Sequence, residues 1–280
     1  MPSTRETSDE STHRAHRVSA TALGPILTAV NERVSYLRSA TAAPATDGWI
    51  QSGDLVRGGP LLAGLIATTG EGRATTDPQV GASLFVQGYA FRIAGVALAA
   101  YALGYDTPST AASVTAIQIA RHRPAAIAYL DPVPQPSDPV RCTEELLGGH
   151  LAEFVRAVRG EVTVGERLLW GNIAASCAVA FRAVEGASAD DAPRIRERAE
   201  TWFAAAQPWL RGLGEFVTVD AGARQGWFWA RTNCCLWYQT AGASMCDDCS
   251  LLDPDARLES WRASLEPEPE PPPAPAGGAV

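Results

Sequence analysis

Apolar residues recur every three or four positions through most of the chain, and this spacing is typical of amphipathic α-helices. The clearest helix begins at Asp77-Pro78, because an aspartate that caps the helix is followed by proline at its first position, and Gly104 can end it. Thr163 and Glu166 form a capping box that predicts another helix start. The predicted helices cover residues 25–37, the segment around 61–65, and residues 78–103, 143–158, 168–184 and 191–206.

The pattern changes to short apolar and β-branched strands in two places. Residues 114–119 and 125–130 flank the turn Arg121-His122-Arg123-Pro124 and predict a β-hairpin, which a Pro-rich loop follows. Residues 216–219 and 226–231 predict a second strand pair that delivers the chain to Cys234. We therefore expect an α+β fold, a mainly α-helical single domain with a small antiparallel sheet and a cysteine-rich C-terminal segment.

Both ends of the sequence lack this patterning. Residues 1–20 are rich in Ser, Thr, Glu and Arg, and residues 266–280 are rich in Pro and Glu, so we expect two disordered tails around one domain at 21–265. The N-terminal residues contain no apolar stretch of the kind found in secretion signals. The longest apolar run, 93–103, is shorter than the roughly 20 residues of a membrane-spanning helix. These features predict a cytoplasmic protein with no transmembrane segment.

Charge excludes several functions. The formal net charge is −8, whereas nucleic acids and anionic membranes attract proteins with excess positive charge, so we expect neither as a partner. All 23 basic residues are arginine. The absence of lysine excludes both a Schiff-base lysine and the lysine of a phosphate-binding P-loop.

Four of the six cysteines fall within 16 residues, in the spacing C-C-x10-C-x2-C. Four thiolates can hold either a structural zinc or an iron–sulfur cluster, and a C-x2-C pair is common to both because a tight turn lets two sulfurs converge. The adjacent pair favours the larger cluster, since neighbouring side chains in an extended chain point to opposite faces. Zinc and reactive or disulfide-forming cysteines remain alternatives. The clustered cysteines are Cys234, Cys235, Cys246 and Cys249.

Residues around these cysteines suggest how a metal centre would be enclosed. Aromatic side chains can exclude water, and backbone amides of the loop 241–244 can donate hydrogen bonds to sulfur. Arg224 and Arg231 can meet negative charge there, although structural ion pairs are the simpler interpretation, and Asp247-Asp248 either adds negative charge or forms a solvated turn. The aromatic residues are Trp227, Phe228, Trp229, Trp237 and Tyr238.

Three other residues with reactive side chains have plainer interpretations. Cys177 lies in a stretch of small residues that predicts a helix, and we expect it to pack in the core. His122 lies between two arginines in a predicted turn and is expected in solvent. His150 is expected to be a partly buried packing residue rather than a ligand, because four cysteines already complete a metal site.

The segment CCLWYQTAGASMCDDCSLL, preceded by Arg231, resembles the C-terminal signature of the FhuF-like ferric siderophore reductases. That signature has the same cysteine spacing, a Leu-x-Tyr after the adjacent pair and a glycine in the loop, which Leu236, Tyr238 and Gly242 match. Weaker likeness extends over residues 20–262, including the stretches at 82–90 and 169–172. Asn233 and Ala241 depart from the pattern, which commonly has a small residue such as serine at the first position and proline at the second.

The resemblance implies a [2Fe–2S] cluster bound in the segment 226–252 by Cys234, Cys235, Cys246 and Cys249, with no catalytic residue beyond it. It also implies an oxidoreductase of the cytoplasm, a reductase that passes one electron to the Fe(III) of a ferric siderophore, for example of the hydroxamate type, and releases Fe(II). The sequence has no nicotinamide- or flavin-binding glycine fingerprint, so an external electron donor such as a ferredoxin or a reduced flavin system is expected. A zinc-stabilised structural or binding module without redox activity is the alternative.

Overall fold

The computed structural model describes residues 22–44, 47–187, 189–222 and 224–265, so the tails expected at 1–20 and 266–280 lie outside the described residues. The helices are α1 (Leu23–Arg33), α2 (Ser52–Val56), α3 (Pro60–Glu71), α4 (Pro78–Leu103), α5 (Pro139–Thr143), α6 (Ala152–Glu161), α7 (Glu166–Gly186), α8 (Ala192–Ala205), α9 (Gln207–Leu210) and α10 (Pro254–Leu265). The strands are β1 (Ser39–Ala40), β2 (Trp49–Gln51), β3 (Thr115–Ala120), β4 (Arg123–Tyr129), β5 (Gly214–Ala221) and β6 (Arg224–Arg231). This arrangement confirms the predicted α+β class.

The core is built around α4, which packs along α7 and also contacts α3, α1 and α8. Helix α4 is long and apolar enough to cross a membrane, but 72% of its most apolar window is buried inside the fold. A helix that is covered by protein on most sides needs no polar face, so this burial explains its composition and fits a soluble protein.

Local signals located the ends of α4 correctly. The Asp77 carboxylate accepts a hydrogen bond from the Gln79 N–H at 2.8 Å, and Gly104 ends the helix with a left-handed φ of 87°. The capping box predicted for α7 is wrong. That helix begins after Gly165 without a side-chain cap, and Glu166 instead accepts a hydrogen bond from Arg159 at 2.6 Å.

Helix α1 ends at Arg33, earlier than its apolar pattern predicts. Val34 and Leu37 are nevertheless buried, because the turn that follows the helix folds both side chains onto the core. The helical period therefore identified the buried side chains of this segment correctly but not where its helix stops.

Both predicted strand pairs are present. Strands β3 and β4 form the expected antiparallel hairpin, and its turn residues Arg121 and His122 have φ values of 49° and 64°, as a tight type I′ turn requires. Two short strands missed by the sequence pattern extend it into a mixed sheet of order β1-β4-β3-β2, in which β1 runs parallel to β4. Strands β5 and β6 pair separately as an antiparallel ribbon, and β6 leads into the cysteine segment.

Between α5 and α6 the helix widens into a π-helical segment, Glu144–Leu151, that carries His150. This side chain is buried, with Nδ1 at 2.5 Å from the Thr110 carbonyl oxygen and Nε2 at 2.6 Å from the Tyr89 hydroxyl. Since a carbonyl can only accept, Nδ1 carries the proton and Nε2 accepts from Tyr89. Both ring nitrogens are engaged, so His150 is a packing residue, as expected, and not a metal ligand.

Candidate metal centre

The cysteine segment begins where β6 ends at Arg231 and the backbone bends. Leu236 has a left-handed φ of 66°, and a short 3-10 turn follows at Trp237–Gln239. A second turn, closed by a hydrogen bond of 2.9 Å from the Cys249 N–H to the Cys246 carbonyl, presents the other two cysteines. The backbone therefore bends directly after the adjacent cysteines.

The four sulfur atoms form two close pairs. Cys234 Sγ lies 3.9 Å from Cys249 Sγ, and Cys235 Sγ lies 3.9 Å from Cys246 Sγ. Both distances greatly exceed the roughly 2.05 Å of a disulfide bond. The pairs cross between the adjacent cysteines and the C-x2-C turn, instead of joining Cys246 to Cys249 as the turn alone suggests. Each pair contains one buried cysteine and one half-buried cysteine.

This spacing fits two metal ions that share four thiolates. A tetrahedral ion with metal–sulfur bonds of about 2.3 Å holds two sulfur ligands about 3.8 Å apart. A structural zinc requires four ligands around a single point. Among the described residues, no three His, Cys, Asp or Glu side chains are grouped so that they can hold one ion. The two sulfur pairs are therefore placed to bind a two-iron cluster.

Contacts within the pairs change the acidity of the thiols. Burial raises the pKa of Cys234 to about 11. A hydrogen bond from Cys246 lowers the pKa of Cys235 to about 6, and the positive charge of Arg231 acts in the same direction. The same hydrogen bond raises the pKa of Cys246, as do burial and the Asp248 carboxylate. Because metals bind thiolates, loading this site must release the remaining thiol protons.

Arg231 places a buried positive charge beside the cysteines. Its side chain is 1% exposed, its Nη2 donates to Asn172 Oδ1 at 2.6 Å, and its Nη1 lies 4.0 Å from Asp248 Oδ2. The Nε–H has no hydrogen-bond acceptor within the described part of the chain. A buried, incompletely paired guanidinium is costly, and a cluster bound by four thiolates supplies the negative charge that it lacks. Arg231 therefore does more than form the structural ion pair considered from the sequence, because its charge also acts on the Cys235 thiol.

Two buried polar residues of the helical core connect Arg231 to the cysteine backbone. Asn172 of α7 donates through Nδ2 to the Ser83 carbonyl at 3.0 Å and to Ser83 Oγ at 2.8 Å. Ser83 of α4 in turn donates to the Cys235 carbonyl oxygen at 2.7 Å. These residues come from the two stretches that carry the weaker resemblance, 82–90 and 169–172. Neither side chain was assigned a role from the sequence, although an asparagine within an apolar helix was a usable signal.

Close packing also ties α7 to the residue before the first cysteine. A Cβ at Gly171 would lie only 1.7 Å from Asn233 Oδ1, so no other residue fits there without moving Asn233. Asn233 Nδ2 donates to the Leu168 carbonyl at 3.2 Å and fixes the bend on the same helix.

Backbone donors to sulfur come from the turn after the adjacent cysteines. The Leu236 N–H points at Cys234 Sγ at 3.3 Å, and the Trp237 N–H interacts with the Cys235 sulfur. Within the described residues these two amides, and not those of the loop 241–244, supply the expected hydrogen bonds.

The aromatic residues near the cysteines have more varied positions than the sequence suggested. Trp227 and Trp229 are buried in the main core, where Trp227 stacks on Phe216 with ring centroids 3.7 Å apart. Phe228 stacks on Trp261 of α10 at 5.0 Å. Tyr238 is exposed. Trp237 lines a cavity beside the cysteine segment.

Three other residues considered as candidates from the sequence have positions that fit packing in the core or exposure at the surface. Cys177 is fully buried in α7, as expected. His122 is exposed at the tip of the β3–β4 hairpin. Arg224 is also exposed, and it donates to the Leu265 carbonyl oxygen at 3.0 Å rather than to the metal centre.

A comparison with known families finds a match in the cysteine segment. Residues 231–251 match the family model of the FhuF 2Fe-2S C-terminal domain. The match spans 21 of the chain's 280 residues. Arg231 and all four clustered cysteines lie inside the matched range, and two sulfur pairs are what a two-iron cluster requires. A comparison with curated proteins finds no match to the chain.

Proposed function

We propose that this protein is a ferric siderophore reductase, in which Cys234, Cys235, Cys246 and Cys249 hold a [2Fe–2S] cluster. The observation that carries the proposal is the crossed arrangement of the four sulfurs in a FhuF 2Fe–2S domain. Such a cluster, when bound, supplies one electron at a time. A cavity lined in part by Trp237 and Asp248 lies beside the cysteine segment, and we expect an iron chelate to approach the cluster there.

The reaction consumes one electron and needs no acid–base pair at the iron. Hard, anionic oxygen ligands bind Fe(III) tightly and Fe(II) more weakly. One electron therefore converts the bound Fe(III) to Fe(II), and the freed siderophore oxygens take up protons from water. The electron comes from outside this chain, from a ferredoxin or a reduced flavin system. Reduced thiols and the buried α4 are compatible with the cytoplasm as the place of action.

The residues of this chain prepare the site in three ways. Cys235 and Cys249 are buried, so two of the four sulfurs are shielded from water. Arg231 offsets part of the negative charge of the thiolates. The contacts from Ser83 and Asn172 hold the cysteine backbone and Arg231 in fixed positions, which limits rearrangement when the charge of the centre changes.

A single-turnover experiment tests this function. The protein is purified without oxygen, reduced chemically, freed of excess reductant and mixed with ferric siderophores and a coloured Fe(II) chelator. The expected result is reoxidation in the visible spectrum with one Fe(II) trapped for each electron lost. Reduced protein that is reoxidised by oxygen but by none of the ferric chelates would contradict the substrate assignment while leaving the cluster in place.

A further inference from the structure

A cavity of about 330 Å³ opens beside the cysteine segment, between the ends of α3 and β4 and the facing sides of α4 and α7. Trp237, two residues after Cys235, and Asp248, one residue before Cys249, form part of its wall. Neighbouring hollows of about 550 Å³ and 150 Å³ share arginine side chains with it. The cavity and the larger hollow fall within the range of roughly 300–1,000 Å³ that is typical of small-molecule sites. A ligand here would touch the segment that carries the cysteines.

The walls of these hollows concentrate positive charge on a protein whose net charge is −8. Within the part of the chain that the structure describes, none of the five wall arginines has a carboxylate oxygen within 4.0 Å. The single acidic residue on the described walls, Asp248, faces the buried Arg231. The five are Arg38, Arg73, Arg92, Arg121 and Arg123.

These guanidinium groups repel one another. Burial lowers the pKa of Arg92, and the nearby charges of Arg123 and Arg38 lower it further. Arg92 is held in place because its Nη1 donates to the Tyr36 carbonyl oxygen at 2.6 Å. Like-charged guanidinium groups with no carboxylate nearby form a site whose repulsion an anionic ligand would relieve.

Aromatic rings add flat apolar surface to the same walls. The Arg73 guanidinium lies over the Trp237 ring at 4.7 Å, and that of Arg92 lies over Phe91 at 5.3 Å. An arginine stacked on a ring presents its N–H edge sideways, where carboxylate or phenolate oxygens can accept from it. In Arg92 part of that edge is already engaged, because its Nη1 donates to the Tyr36 carbonyl and its Nε to the Pro124 carbonyl. The lining therefore combines recognition of negative charge with recognition of planar groups.

We propose that this arginine-lined cavity binds a ferric chelate with net negative charge, of the catecholate or carboxylate class. The inference rests on the proposed reductase function and refines its substrate. Ferric complexes of simple tris-hydroxamates are neutral and would leave the arginine repulsion unrelieved, so the hydroxamate type expected from the sequence is the poorer fit. Ligand bound here would also contact Trp237 and so lie against the cysteine segment.

Gallium(III) chelates test the cavity without any electron transfer, because Ga(III) resembles Fe(III) in charge and size but is not reduced. Calorimetric titration of the intact protein compares gallium tris-catecholate, gallium citrate and a neutral gallium tris-hydroxamate at fixed ionic strength. We expect the two anionic chelates to bind at least tenfold more tightly than the neutral one. Raising the salt concentration should weaken the anionic chelates several-fold and leave the neutral chelate nearly unchanged.

Charge-neutralising variants locate the binding. The double variant Arg73→Gln/Arg123→Gln should weaken anionic chelate binding at least tenfold, while Arg211→Gln, at an exposed arginine outside the hollows, should change it less than twofold. Equal binding of neutral and anionic chelates would overturn the proposal, as would unchanged binding by the double variant. The proposal is also wrong if the chelates do not bind and an acidic ferredoxin binds in a manner that the double variant abolishes.

The outcomes separate this site from the reductase function. Selective binding of anionic gallium chelates, with no ferric chelate able to reoxidise the reduced protein, supports the cavity and refutes the reductase. Reoxidation by ferric siderophores without selective binding of anionic gallium chelates supports the reductase and refutes the cavity.

Discussion

Cys234 and Cys235 are neighbours in the chain, yet their sulfur atoms lie in different pairs. Side chains of adjacent extended residues point apart, so two such cysteines are poorly arranged for one ion and well arranged for two. The spacing of the cysteines predicted which residues come together. It did not predict the crossed pairing, because that depends on the left-handed turn at Leu236, a non-glycine residue whose conformation has no clear sequence signal.

Arg231 is the residue whose removal should change the electronic properties of the site most. A buried positive charge stabilises the reduced, more negative state of a cluster. Arg231→Gln should therefore lower the reduction potential by on the order of 60 mV, which corresponds to a tenfold change in the one-electron equilibrium. Spectroelectrochemical titration of the cluster band measures this shift.

The matched control for that prediction is Arg224→Gln, since Arg224 carries the same charge at an exposed position of the same strand. Its potential should stay within about 10 mV of the wild type, because solvent screens an exposed charge. An Arg231→Gln variant with a wild-type spectrum and an unchanged potential would show that the buried guanidinium does not act on the cluster.

The cysteine segment is held in place where the secondary-structure elements α4, α7 and β6 meet. Ser83, Asn172 and Arg231 come from these three elements and are joined by hydrogen bonds in a buried position. The limits of α4 followed from local signals at Asp77 and Gly104, whereas β1 and β2 are too short to show an alternating pattern. The hydrogen bonds that join these three elements have no local sequence signal, so they could be identified only from the folded structure.

The π-helical segment between α5 and α6 should make folding stability depend on pH. Burial lowers the pKa of His150 to about 4, against about 6.5 in an unfolded chain. The unfolded state therefore takes up a proton at a higher pH than the folded state, so stability is full above about pH 6.5 and falls as the pH drops towards 4. At pH 5 this one group costs about 2 kcal/mol relative to neutral pH.

Chemical denaturation of the wild type and of His150→Gln at pH 7.5 and pH 5 measures this effect. The variant is expected to be less stable at pH 7.5, because it loses the contacts to Tyr89 and Thr110, and to lose about 2 kcal/mol less than the wild type on acidification. Equal losses in both proteins would mean that His150 is not the group responsible.

The family match covers only residues 231–251, so most of the fold lies outside it. The sequence predicted the α+β class, the main helices, both strand pairs and the cysteine cluster. It did not predict the arginine-lined cavity, since Arg73 follows α3, Arg92 lies in α4 and Arg123 opens β4. Net charge was equally uninformative there, because an overall charge of −8 conceals a local group of arginines.

The proposed function depends on what the four cysteines bind, and the composition of the metal centre is directly measurable. Protein prepared without oxygen is analysed for iron, acid-labile sulfide and zinc, and the reduced form is examined by electron paramagnetic resonance. Cys246→Ser serves to break one sulfur pair, and Cys142→Ser, outside both pairs, is the matched control.

We predict two irons and two sulfides per chain, no zinc, and one unpaired electron per chain after reduction, as a [2Fe–2S] cluster requires. Cys142→Ser should retain this composition, and Cys246→Ser should lose most of the iron and sulfide. One zinc per chain, or iron without acid-labile sulfide, would contradict the account.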